Sequence, residues 1–138
     1  DIHLIKDPAF NRLHADFYSR LAMTFSHGDY AKIDAIPGKV SIAKALFQKS
    51  LACHPDHRSY LGLGLLYQQE GSLDKSIRIL DQGLAHFDGS MDLNVCQGIN
   101  YMNLKNFDRA LSYFLDYKDQ AHVSPYITKC YEAQKTRL

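Results

Sequence analysis

The stretch CHPDH, residues 53–57, brings Cys53, His54 and His57 within five positions. A thiolate and two imidazoles this close could ligate zinc, which takes Cys and His donors in tetrahedral sites. No fourth ligand stands nearby, and the spacing lacks the second half of a zinc-binding pair. The stretch reads as a loop around Pro55, and no metal is assigned. Asp56 beside His57 is a solvated loop dipeptide. Seven histidines and fifteen acidic residues are present, yet none stands in the setting of a catalytic acid, base or nucleophile. The run LGLGLL, residues 61–66, holds two glycines. Phosphate-cradling glycines occupy a strand-to-helix turn, whereas these lie mid-helix, where their amides are already bonded. The chain therefore reads as a non-enzyme with no catalytic residue and no cofactor.

The elements that would hold these residues are helical. Asp7-Pro8 is a helix start, an N-cap followed by proline in the first turn. Phe10, Leu13, Phe17, Leu21 and Phe25 then recur at helical spacing up to His27-Gly28. Residues 29–37, with Tyr30, Ile33, Ile36 and Pro37, read as a connector. Further helices are predicted over Val40–His54 and near 58–70, 73–86, 91–104 and 107–120. Ser124-Pro125 starts a last one, with Tyr126, Ile127, Cys130 and Tyr131 expected on its inner side. No stretch alternates as a strand does.

The 138 residues are enough for one compact domain that needs no disulfide or metal to fold. Sixteen basic against fifteen acidic residues leave a formal charge of +1. That near-balance gives no electrostatic case for nucleic acid, which needs a concentrated basic face. Cys53, Cys96 and Cys130 are odd in number and widely spaced, as in a cytoplasmic protein with reduced thiols. The longest apolar run, Leu61–Tyr67, is far short of the ~20 residues of a membrane span, so no membrane partner is expected. The first residue is Asp1 rather than Met, which leads to the expectation of a piece cut from a longer protein.

The chain repeats itself. One constant interval separates Gly64 from Gly98, Tyr67 from Tyr101, Leu73 from Phe107, Ser76 from Ala110, and Leu80 from Phe114. It is the tetratricopeptide period of about 34 residues, and the sequence resembles that family. One unit shows Tyr60, Leu63, Gly64, Tyr67, Gly71, Leu73, Ser76, Leu80 and Gly83. The next shows Gly98, Tyr101, Phe107, Ala110 and Phe114, departing at Asn94, Gln97, Lys105 and Tyr117. An upstream half-unit shows Gly38, Val40, Ala43, Phe47, Ser50 and Pro55, with one residue fewer before the next. The match covers about residues 38–120. The resemblance implies an all-α fold, a right-handed superhelix of about seven helices stacked as antiparallel pairs. A single domain, 1–138, would comprise a divergent first repeat (8–56) carrying connector 29–37 as an insertion, a second (57–90), a third (91–121) and a capping helix (124–136). Small residues at Gly64, Ser76, Gly83, Gly98 and Ala110 would let backbones approach, with Tyr67, Leu80, Tyr101 and Phe114 filling the space beside them.

With 3.6 residues per turn, Arg58, Leu61, Leu65 and Gln68 lie to one side of the face marked by Tyr60, Leu63, Gly64 and Tyr67. One repeat later these positions are Asp92, Val95, Ile99 and Met102. In the family they line the concave groove, so the resemblance implies a partner site there. Its apolar strip, flanked by Arg58, Gln68, Asp92 and Asn103, suits an apolar peptide or an amphipathic helix. It does not suit a carboxylate-clamp adaptor of chaperone tails, whose carboxylates would meet Leu, Leu, Val and Ile and lose hydration without a compensating bond.

An apolar stripe at helical spacing reads equally as core, covered by the amino-terminal helix, by 29–37 or by a further domain. The expected role is a protein-interaction scaffold with a protein or peptide partner. A second reading is a carboxy-terminal appendage of a larger bacterial enzyme that docks on its catalytic part or recruits its substrate protein. FYSRLAMTF followed by IPGKVSIAKAL is faintly similar to repeat extensions after radical S-adenosylmethionine, cobalamin-binding domains, without that family's cluster cysteines. A third reading is self-association through the open amino-terminal end of the stack.

Overall fold

The computed structural model describes residues 8–27 and 38–136, apart from the side chains of Phe10, Ser26 and His27. Connector 29–37 and the Asp7 cap lie outside the described residues. Among the described residues seven α-helices follow one another: α1 (Pro8–His27), α2 (Lys39–Cys53), α3 (His57–Gln69), α4 (Leu73–His86), α5 (Met91–Asn103), α6 (Phe107–Phe114) and α7 (Ser124–Lys135). There is no strand among the described residues.

Local sequence sets the helix ends. The side chains of Asp56, Ser90 and Asn106 accept the backbone N–H of Ser59, Leu93 and Arg109 at 3.1, 3.2 and 3.2 Å, capping α3, α5 and α6. Beyond α3 the chain turns through Gly71 at φ +80°, with Ser72 N–H on the Tyr67 carbonyl and Gly71 N–H on that of Gln68. This is the paired-bond C-terminal turn that favours glycine in the left-handed region. The same two bonds recur one repeat on, from Asn106 to Tyr101 and from Lys105 to Met102, but here Lys105 holds φ 62°. The departure from glycine at Lys105 thus leaves the turn intact and places the strain on a lysine backbone.

The helices pack as pairs, α1 on α2, α3 on α4 and α5 on α6, and successive pairs meet through α2–α3 and α4–α5, with α7 closing on α6. The first helices of the pairs also touch in order, α1 to α3 and α3 to α5, and form one wall. Three core clusters sit between the layers, around Phe47 and Leu63, around Tyr60, Leu80 and Leu93, and around Phe114 and Val123. Glycines decide how closely the layers approach. A β-carbon on Gly64 would lie 2.6 Å from Leu80, and one on Gly83 would lie 2.7 Å from Tyr60.

Two expectations need correction. The helix read over 107–120 ends at Phe114 and passes into a 3-10 turn, Leu115–Tyr117. Between Leu115 and Gln120 only Tyr117 is half-buried while its neighbours are exposed, and its hydroxyl accepts Asn94 Nδ2–H at 3.0 Å. On α1, Leu13 and Phe17 are 69% and 59% exposed, while Ala15, Ser19 and Ala22 are buried. The close packing of α2, with Ala43, Phe47 and Ser50 inward, selects the small stripe. Tyr131 is exposed, whereas Cys130 is buried and Tyr126 and Ile127 are half-buried. Cys130 lies one period after Cys96, on the face turned to the preceding pair.

Candidate functional site

Leu61, Leu65, Asp92, Val95 and Ile99 line one open hollow of about 210 Å³ between α3 and α5, together with Cys96 and His122. Each apolar side chain there is half-buried. Leu61 and Leu65 lean on the Tyr60–Leu80 cluster, and Val95 and Ile99 on the Tyr101–Phe114 cluster. They reach the hollow because one helix turn spaces them at i and i+4 on neighbouring helices of the same wall. Asp92 is exposed at its edge.

The remaining predicted residues stand apart from this hollow. Gln68 turns inward, its Nε2–H donating to Asn100 Oδ1 at 2.9 Å and to the Cys96 carbonyl at 3.1 Å. A buried network continues from there. Asn100 Nδ2 donates to Ser76 Oγ at 2.8 Å and Gln97 Oε1 at 3.1 Å, and Ser76 Oγ donates to the Gly64 carbonyl at 2.7 Å. Gln97, where the repeat pattern has leucine, donates to the Ile77 carbonyl at 3.0 Å and Asp81 Oδ1 at 2.7 Å. Met102 is half-buried against the Tyr101 cluster. Arg58 pairs with Asp16 of α1. Asn103, read as a flank, is exposed.

The Arg58–Asp16 pair opens a part of the wall that the repeat period does not reach. Ser50 Oγ donates to the Ala15 carbonyl at 2.7 Å, as Gly83 meets Tyr60 in the next pair over a shorter stretch of chain. That contact aligns Ala15 with Tyr60. Leu13, Asp16, Arg20 and Met23 then correspond to Arg58, Leu61, Leu65 and Gln68. Helix α1 therefore stands beside α3 as a further rung of the same wall, and its residues are not among those lining the α3–α5 hollow. The additional residues in the first pair hid this register in the sequence. His122 was also missed, since it lies in the turn before α7 and carries no repeat signal.

Electrostatics follow from this placement. The hydrogen bond from Arg58, with the charges of Arg58 and Arg20, holds the Asp16 carboxyl below its ordinary range. Arg20 Nε meets Asp16 Oδ2 at 2.9 Å. Burial pushes the Cys96 thiol up to about 12 and raises those of Cys130 and Cys53. The CHPDH residues have structural partners: His54 Nδ1 lies 2.8 Å from the Pro55 carbonyl and His57 Nε2 2.6 Å from Ser90 Oγ. Among the described residues no group of three or more His, Cys, Asp or Glu could hold a metal ion, and no helix is long and apolar enough to cross a membrane.

No protein-family model and no curated protein sequence matches the chain. Among solved structures it is similar to one described as MamA AMB-1 in crystal form P212121, at 21% identity and TM-score 0.61, over 92% of this chain and 80% of that one. The likeness bears on fold alone. Together with the helix pairs and their constant spacing, it shows an all-α helical repeat of tetratricopeptide type.

Proposed function

We propose that this chain is a protein-interaction scaffold that binds an apolar peptide or the apolar face of an amphipathic helix along the wall formed by α1, α3 and α5. The observation that carries this reading is the open apolar hollow between Leu61, Leu65, Val95 and Ile99. An apolar recess with few polar groups at its edge is what such partners fill. The experiment is a selection from a displayed library of random 12-residue peptides on the wild-type chain and on Leu65→Asp/Ile99→Asp. Peptides enriched on the wild type should lose binding to the double variant while its circular dichroism stays helical. Unchanged binding to a folded variant means another face is used. If the variant unfolds, those side chains are core and the groove reading fails.

The exposed Leu13 and Phe17 favour a second reading, an appendage of a larger bacterial enzyme that docks through the open end of α1. A concentration-independent monomer by light scattering would remove self-association through that end. A catalytic domain encoded ahead of Asp1 in the gene would favour docking.

A further inference from the structure

We infer that the peptide bound in this groove carries a carboxylate one helix away from its apolar contact, seated on Arg20 and Arg58 where α1 meets α3. The inference rests on the groove reading and specifies the ligand that groove takes. The two contacts are separated by about 8–10 Å, the spacing between axes of packed helices, because the cationic rung stands next to the α3–α5 hollow.

Charge is unevenly distributed along the wall. At the α1 end the guanidiniums of Arg20 and Arg58 both bond Asp16, and Arg12 lines a recess with the same aspartate. Two guanidiniums thus face one carboxylate. A guanidinium has five N–H donors, and a single contact to Asp16 leaves most of them directed elsewhere. Arg20 is 71% exposed and Arg58 37%, so those directions open to solvent. An incoming carboxylate would fill them with charge-assisted, two-pronged bonds. At the other end the charged group on the hollow is Asp92, which repels a second carboxylate. The leucine, valine and isoleucine lining offers a carboxylate no bond for its lost hydration. The wall therefore separates an apolar contact from an acidic one and orients the peptide with its acid toward α1. An extended peptide spans the gap with about three residues.

The same random 12-residue library tests this on three chains: wild type, Arg20→Gln/Arg58→Gln and Leu65→Asp/Ile99→Asp. Wild-type selections should be enriched in apolar residues with Asp or Glu a few positions away. Changing that acid to its amide in a selected peptide should weaken binding about tenfold, and raising the salt should weaken the acidic peptide more than the amide. On Arg20→Gln/Arg58→Gln the acid and amide peptides should bind alike. Apolar enrichment without acids, or an equal acid-to-amide loss on the wild type and the arginine variant, overturns the inference and leaves the groove standing. If nothing is enriched, or the enriched peptides ignore Leu65→Asp/Ile99→Asp, the groove itself is wrong. The salt comparison needs only the wild type, so it decides the matter even if the arginine variant fails to fold.

Discussion

A β-carbon built on Gly98 would stand 2.4 Å from Cε1 of Phe114. Phe114 is fully buried, and its ring stacks on Tyr126 at 5.6 Å between centroids, so it cannot step aside. Gly98→Ala should gain about 1 kcal/mol of helix propensity and lose about 1–3 kcal/mol to overpacking. A net destabilisation of up to roughly 2 kcal/mol in urea melts is expected. Gly89→Ala is the control: nothing lies within 4 Å of the added carbon. A stable Gly98→Ala would mean that α5 and α6 are not packed this closely.

Lys105 occupies the left-handed turn that Gly71 occupies one repeat earlier. A residue with a β-carbon holds that conformation at about 1–2 kcal/mol, part of which glycine recovers. Lys105→Gly should stabilise the chain by about 0.5–1 kcal/mol, raising its denaturation midpoint, whereas Gly71→Ala should lower it. Opposite signs at equivalent positions are the diagnostic result.

Asn100 joins α3, α4 and α5 through Gln68, Ser76 and Gln97. Asn100→Ala leaves buried partners of that side chain unsatisfied, at a cost of about 2–3 kcal/mol. Because Gln97 belongs to the same network, Asn100→Ala combined with Gln97→Leu should cost less than the sum of the two changes. Strict additivity in thermal or urea unfolding would show that the network does not act as one unit.

The thiol of Cys96 ionises near its ordinary 9.0 when the chain is unfolded and near 12 when folded. Between those values the unfolded chain binds fewer protons, so stability falls as pH rises, by up to roughly 1.4 kcal/mol per unit. Cys96→Ala should flatten that alkaline slope, and identical slopes would refute the assignment. At pH 8 a thiol reagent should modify half-buried Cys53 first, while buried Cys96 and Cys130 wait for unfolding.

The repeat was legible in the sequence because its packing rule is local. Gly64 beside Leu80 and Gly98 beside Phe114 are separated by one short hairpin each, so the small-against-large pattern recurs at a constant interval. The same periodicity marks Leu61, Leu65, Val95 and Ile99 as neighbours on one wall, whereas the caps at Asp56 and Ser90 emerged only from the structure. The sequence therefore determined the helix pairs and the apolar strip. Tertiary structure decided what no local interval could convey. The extra residues in the first pair break the register of α1, so only the contact of Ser50 with Ala15 reveals that Asp16 and Arg20 extend the wall. Leu13 and Phe17 look like core on a helical wheel, but burial depends on whether a neighbouring helix exists to cover them, and α2 packs on the alanine and serine stripe instead. Gln68 could face a ligand or turn inward by its position alone, and the carboxamide of Asn100, on the next helix of the wall, draws it in. Periodicity reports which side chains share a face, while a face becomes core, groove or open end only when the rest of the chain is in place.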